Sequence, residues 1–261
     1  MKVYFAGSSA FALDAKILRT IECNYMLQSF YSIKNFEKIP WAHLKEFTNV
    51  IIDSGLFSIM FGCAKDTVFD EKFVEQYYLK YKAFINLYKY SNVAFVEMDV
   101  QKKLGSSLAW ELRKRLKKDC KGRQFINVYH LEDENPDKLI DFSDYMAVSI
   151  PELRKNVTRK ELIRITRYIV TKALTKNKKV HLLGCTEATL LKTFSMATSC
   201  DSSSWRSCGR YGGWKPPWSK NKIRVENLER MSSMDTRFEK AGAGQGALCL
   251  QHYKQLAGDQ S

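Results

Sequence analysis

Hydrophobic positions along this chain follow two alternating periods. Short, mostly apolar runs bounded by turn residues recur at 2–6, 49–53, 93–99, 124–130, 145–149, 179–183 and 197–201, with a weaker run at 223–225, and each predicts a strand. Charge-decorated stretches of helical length separate most of them. Over 71–90 the residues Phe73, Tyr77, Tyr81, Phe84 and Leu87 fall at helical spacing, and 107–118 and 158–175 read as basic amphipathic helices. Strands that are apolar throughout and followed by helices belong in a parallel sheet covered on both faces. A chain of 261 residues suits one closed (β/α)8 TIM-type barrel, with an open doubly wound sheet as the competing arrangement. The chain carries neither a G-x-G-x-x-G after its first strand nor a G-x-x-x-x-G-K-[ST], so no dinucleotide or P-loop site is signalled. We expect the barrel to occupy residues 1–225, and 226–261 to form a C-terminal helical extension with a mobile tail.

Composition narrows the partners. Forty-two Lys and Arg against 28 Asp and Glu leave a net charge of +14, which makes a polyanion the expected partner class. No run is long and apolar enough for a membrane span and the N-terminus lacks a signal-peptide pattern, so a soluble, cytoplasmic protein with no membrane partner is expected. The seven cysteines and four histidines contain no C-x-x-C pair and no H-E-x-x-H, so no metal site is expected.

In a parallel barrel the C-terminal strand ends build the active site, which draws attention to polar residues closing apolar runs. Asp53, Asp99, His130, Ser149 and Asp201 all occupy such places. An aspartate after a strand also commonly caps the next helix, so position alone does not decide its role. Context adds to it. Asp53 is followed by Ser54, Gly55, Leu56 and Phe57, where the glycine permits a tight turn or a close backbone approach. Asp201 precedes a serine run, Trp205, and a Gly-rich stretch holding Arg210 and Tyr211, planar groups suited to stacking on a nucleobase. His130 would orient a sugar or phosphate, or simply end its strand. Cys185 and Cys200 read as buried small hydrophobes, and Tyr77, Tyr78, Tyr81 and Tyr88 as packing residues.

At these residues the chain resembles the tRNA-guanine transglycosylase superfamily, in particular the shorter, phage-type deazaguanine DNA transglycosylases. Asp53-Ser54-Gly55-Leu56-Phe57-Ser58 resembles the family's D-S-G-G-F-Q, whose aspartate is the general acid/base. Met98-Asp99 falls where the family has its base-recognising aspartate, Val128-Tyr129-His130 where it has V-Q-G, and Ala147-Val148-Ser149 at a strand end that reads the base. Leu182-Leu183-Gly184-Cys185-Thr186 is similar to M-G-V-G-T, and Ser199-Cys200-Asp201 to the segment carrying the nucleophilic aspartate. The resemblance spans about residues 45 to 215. Leu56 replaces a glycine, Ser58 a glutamine and His130 a Gln-Gly pair, and the family's C-x-C-x-x-C…H zinc subdomain has no counterpart, which favours DNA over tRNA as acceptor.

The resemblance implies that Asp201 is the nucleophile and Asp53 the proton carrier, in a base exchange that inserts a 7-deazaguanine (preQ0-type) in place of guanine. Ser54, Gly55, Phe57, Asp99, His130, Ser149, Gly184, Trp205, Arg210 and Tyr211 would bind the substrate, and no cofactor is needed. The basic stretches 102–123 and 154–179 would meet phosphates, although such runs are as often solvated helix faces. The remaining alternatives are a queuine/preQ1-type tRNA-guanine transglycosylase, a nucleoside hydrolase in which water resolves the same intermediate, and a non-catalytic nucleic-acid-binding barrel.

Overall fold

The computed structural model describes residues 1–7, 15, 18–19, 23–33, 44–61, 68–88, 91–185 and 187–203, with the backbone of 213–214 and 223–224. Strands β1 (Lys2–Ala6), β2 (Tyr25–Ser29), β3 (Asn49–Asp53), β4 (Val93–Val96), β5 (Gln124–Tyr129), β6 (Tyr145–Ser149), β7 (Lys179–Leu183) and β8 (Ser199–Ser202) pair in chain order. Every pairing is parallel, and β8 returns to β1 with Tyr4 opposite Asp201, so the sheet closes into the expected (β/α)8 barrel.

The period of two along each strand divides the core. Tyr4, Leu27, Ile51, Val96, Ile126, Val128, Tyr145 and Ala147 cluster inside the barrel, while Phe5, Met26, Val50, Ile52, Phe95, Met146, Val148 and Leu182 pack with the helices. Burial on both faces accounts for strands that read as nearly continuous apolar runs.

The described helices are α1 (Phe30–Ile33), α2 (Leu56–Phe61), α3 (Glu71–Leu87), α4 (Gln101–Asp119), α5 (Pro136–Phe142), α6 (Ile150–Asn156), α7 (Arg159–Thr175) and α8 (Ala188–Thr193). Helix α3 starts where the Asp70 carboxylate accepts the Phe73 N–H at 2.8 Å, and it buries Val74, Tyr77, Tyr78, Tyr81, Phe84 and Ile85. Thr158 caps α7 in the same way through Glu161 N–H.

Several expectations are corrected. The second barrel strand, Tyr25–Ser29, was not among the predicted runs, and the 223–225 run is no barrel strand: Ile223–Arg224 pairs antiparallel with Gly213–Trp214. Strand β4 stops at Val96 and β5 at Tyr129, so Asp99 and His130 lie just past their strands. Asp201 lies within β8 and does not close it. Helix α3 ends at Leu87, short of residue 90, and α4 begins at Gln101 with a non-helical break at Gly105. The 225/226 boundary and the C-terminal extension lie outside the described residues. Among the described residues no helix is long and apolar enough to cross a membrane.

Candidate active site

Asp53, Asp99, His130, Ser149, Gly184 and Asp201 all sit at or just beyond C-terminal strand ends, so the barrel collects them at one mouth. Asp53 is held from outside the barrel. Tyr81 donates its hydroxyl to Ile52 O at 3.1 Å and Val96 O at 2.8 Å, and Tyr77 donates to Ser54 O at 2.6 Å. The tyrosine stripe is thus packing, as expected, and it also pins the carbonyls on either side of Asp53.

Gly55 completes the turn. Its φ is +79°, its N–H donates to Asp53 Oδ2 at 3.2 Å, and a Cβ there would stand 2.5 Å from both Ser29 Oγ and Tyr31 Cβ. Gly55→Ala is therefore expected to cost about 1–3 kcal/mol from backbone strain, with the clash added. Denaturant unfolding would measure this.

Withdrawal from water raises the Asp53 carboxyl, and the neighbouring charges of Asp99 and Asp201 add to the effect, taking it from 3.8 to about 7 against the opposing N–H bonds of Gly55 and Ser54. In the unfolded chain the group releases its proton near pH 4, whereas the folded protein keeps it until about pH 7. The folded state therefore binds more protons across that window, and Asp53 lowers stability as the pH rises through it. Asp53→Asn should flatten this dependence and stabilise the protein at pH 8 by at most about 4 kcal/mol, read from thermal or denaturant melts at pH 4 and pH 8.

Asp99 is 5% exposed and lies between two elements: Ser54 Oγ donates to its Oδ1 at 3.4 Å, and His130 Nε2 stands 3.6 Å from Oδ2. The other ring nitrogen of His130 pairs with Glu152, from the first turn of α6. Burial by itself would push the His130 imidazole down, but the Asp99 and Glu152 carboxylates outweigh it and raise the group to about 10, so His130 keeps its proton at neutral pH. Its backbone N–H donates to Asp133 Oδ2 at 3.1 Å, which fixes where the ring projects. His130, Glu132 and Glu152 offer ligand atoms within 4.8 Å of one another, the donor types of a cation site, and here the Glu152 carboxylate takes up His130 Nδ1.

Asp201 is 7% exposed. Gly184 N–H donates to its Oδ1 at 2.6 Å, and His181 Nε2 lies 3.1 Å from the same oxygen. These partners come from β7 and the turn after it, so the carboxylate is not serving as a helix cap. Gly184 has φ +61°, and a Cβ on it would meet Pro151 Cγ at 2.6 Å, which holds the turn to glycine.

The remaining predicted residues are placed as follows. Ser149 ends β6, buried, and starts α6 without a capping bond from its side chain. Phe57 is 45% exposed on α2. Trp205, Arg210 and Tyr211 lie outside the described residues. Cys185 and Cys200 are buried and not disulfide-bonded, as expected of small hydrophobes, and burial pushes the Cys185 thiol up to about 12.

Four functional side chains escaped the sequence reading. Glu152 follows a strand by three residues, where no polar strand-end signal points to it. His181 sits in the middle of β7 and Tyr145 and Ser199 begin β6 and β8, all at inward positions; their only signal is parity, since each is an even number of residues from a predicted mouth residue on its own or a neighbouring strand. The basic stretches are also less free than their charge suggests. Arg113 is buried, and six of the ten cations in 154–179 meet carboxylates: Arg154 and Arg159 with Glu187, Arg164 with Glu161, Lys172 with Asp137, Lys176 with Asp141 and Lys178 with Asp144. Pairs of this exposed kind contribute about 0–1 kcal/mol. No protein-family model matches the chain, and no curated protein matches it.

Proposed function

We propose that this barrel exchanges a purine base on a nucleic acid, replacing guanine with a 7-deazaguanine through a covalent aspartyl-glycosyl intermediate. The observation that carries the proposal is the meeting at one mouth of two carboxyls in different surroundings: Asp53, raised to about 7, and Asp201, whose Oδ1 accepts the Gly184 N–H and lies 3.1 Å from His181 Nε2. Two carboxyls with separated roles are what glycosidic exchange with retention requires.

In the first half-reaction Asp201 Oδ2 bonds to C1′ as the C1′–N9 bond breaks, and Asp53 gives its proton to the departing guanine. In the second, Asp53 takes the N9 proton of the incoming base, N9 bonds to C1′, and the ester to Asp201 breaks. Asp53 ends protonated as it began, so no external acid, base or oxidant is consumed. A group near half-protonation at neutral pH suits both steps. Asp99 accepts from the N1–H and exocyclic amine of the base, and Glu152 Oε1, buried and without a hydrogen-bond partner among the described residues, offers a further acceptor beside His130. The target nucleotide must be single-stranded or flipped out to reach a barrel mouth, and the net charge of +14 supports binding to such a strand. DNA is the acceptor that the resemblance favours.

The test is mass spectrometry of nucleosides after incubating the protein with DNA or tRNA and isotopically labelled guanine or 7-deazaguanine. Label in DNA is the expected result. Label confined to tRNA would move the acceptor, guanine release without incorporation would make the protein a hydrolase, and no turnover with any purine would overturn the enzymatic reading.

A further inference from the structure

On one wall of the barrel interior Tyr145 of β6, His181 of β7 and Ser199 of β8 stand side by side, at most 4% exposed. The register places His181 opposite Ser199, with Ala147 on the other side. Three polar groups in a sealed core require hydrogen bonds, and they find them in one another: Tyr145 OH meets Ser199 Oγ, Ser199 Oγ lies 2.6 Å from His181 Nδ1, and His181 Nε2 lies 3.1 Å from Asp201 Oδ1. The imidazole ring is held edge-on by Tyr4, at 6.1 Å between centroids and 78°, and by Tyr145, at 6.4 Å and 83°.

The direction of this chain follows from its far end. Burial pushes the Tyr145 phenol up to about 12, so it keeps its hydrogen, and among the described residues the only acceptor it meets is Ser199 Oγ. The arrangement in which every hydrogen of the three groups finds an acceptor then has Ser199 donating to His181 Nδ1. That nitrogen is therefore bare, the hydrogen of the ring sits on Nε2, and it points at Asp201 Oδ1.

We infer that His181 is a positioning residue for the nucleophile, and that the Tyr145–Ser199–His181 relay selects which oxygen of Asp201 attacks. This rests on the reading of Asp201 as nucleophile. Oδ1 receives the His181 Nε2–H and the Gly184 N–H at 2.6 Å, while no described residue donates to Oδ2. Oδ2 is the oxygen left to bond C1′. When the ester breaks in the second half-reaction, the bonding pair returns to Asp201 as carboxylate charge, and the two N–H groups on Oδ1 stabilise it as it forms. Neither group moves between the steps, because one is backbone in a turn closed by Pro151 and the other is wedged between two tyrosine rings.

Two readouts test the inference. The first is the ¹⁵N spectrum of the His181 ring in the folded protein without substrate, which does not depend on any activity. The neutral Nε2–H form is expected, and in Ser199→Ala that preference should weaken; the Nδ1–H form or a doubly protonated ring in the wild type would overturn the relay. The second is kinetic. His181→Gln, which can place an N–H near the Nε2 position, should keep kcat within about 10-fold, whereas His181→Leu should lower it by about 100-fold or more with KM for the nucleic acid unchanged, a loss typical of a missing charge-stabilising donor. Should His181→Leu fail to fold, Ser199→Ala carries the kinetic test with an expected loss of about 10-fold. Equal kcat in Gln and Leu variants, or a change in KM alone, would overturn a positioning role. If Asp201→Ala retained turnover, the nucleophile reading would fail separately, with the ring spectrum still reporting on the relay.

Discussion

Asp201→Ala should abolish base exchange, with a fall of at least about 10⁴-fold in label incorporated into DNA, while nucleic-acid binding measured by fluorescence anisotropy stays within a few-fold of wild type. The asymmetry follows from what Asp201 touches. Its partners are Gly184 N–H and His181, both inside the barrel end, and no described cation depends on it. The basic stretches 102–123 and 154–179 lie elsewhere in the chain. A second consequence needs no substrate: the Asp201 charge is one of the influences raising Asp53, after burial and Asp99, so the alanine variant should lower the Asp53 midpoint below about 7. Carboxyl ¹³C NMR over pH would read that shift. An unchanged Asp53 midpoint would mean that the two carboxyls do not share a site, and the exchange mechanism would go with it.

Arg113→Met is expected to have the largest effect on stability, a loss of about 3–5 kcal/mol in denaturant unfolding. Arg113 is one of the largest fully buried side chains, and its guanidinium forks on both edges. Nε and Nη2 donate to the Glu97 carboxylate at 2.7 Å each, Nη1 and Nη2 to Asp133 at 2.7 and 3.1 Å, and Nη2 also to Val128 O at 3.1 Å. Burial opposes the guanidinium charge, but the two carboxylates outweigh that and raise its pKa further. Taking the cation away would leave two buried anions with only Asn127, Gln101, Ser106 and backbone N–H groups to hold them. For a domain whose total stability is about 5–15 kcal/mol, the loss is large enough to lower soluble yield. Arg113→Lys should recover only part of it, since an ammonium cannot span two carboxylates with paired bonds. A loss below about 1 kcal/mol in Arg113→Met would mean that the network contributes no net stability.

Most of the barrel was legible in the sequence because each parallel strand is buried on both faces and so writes a compact apolar run between polar helices. Tyr25–Ser29 escaped for local reasons. Gln28 breaks the apolar run although it is fully buried, and Phe30 begins a helix at once, so no turn residue marks the strand's end. The carboxylates were legible because strand-end aspartates interrupt apolar sequence. Their tuning was not, since the rise of Asp53 comes from burial and from charges 46 and 148 residues further along the chain. Glu97 illustrates the limit well: it looked like the interior of a strand, yet its carboxylate leaves the strand pattern to meet Arg113 on α4.

The two carboxyls also rest on separate foundations. The turn bearing Asp53 hangs from tyrosine hydroxyls on α3, outside the sheet, whereas Asp201 is braced by polar side chains on the wall formed by β6, β7 and β8. Substitutions beneath α3 should therefore reach Asp53 first and substitutions in the polar wall Asp201 first, each carried to the other carboxyl only through the charge they share.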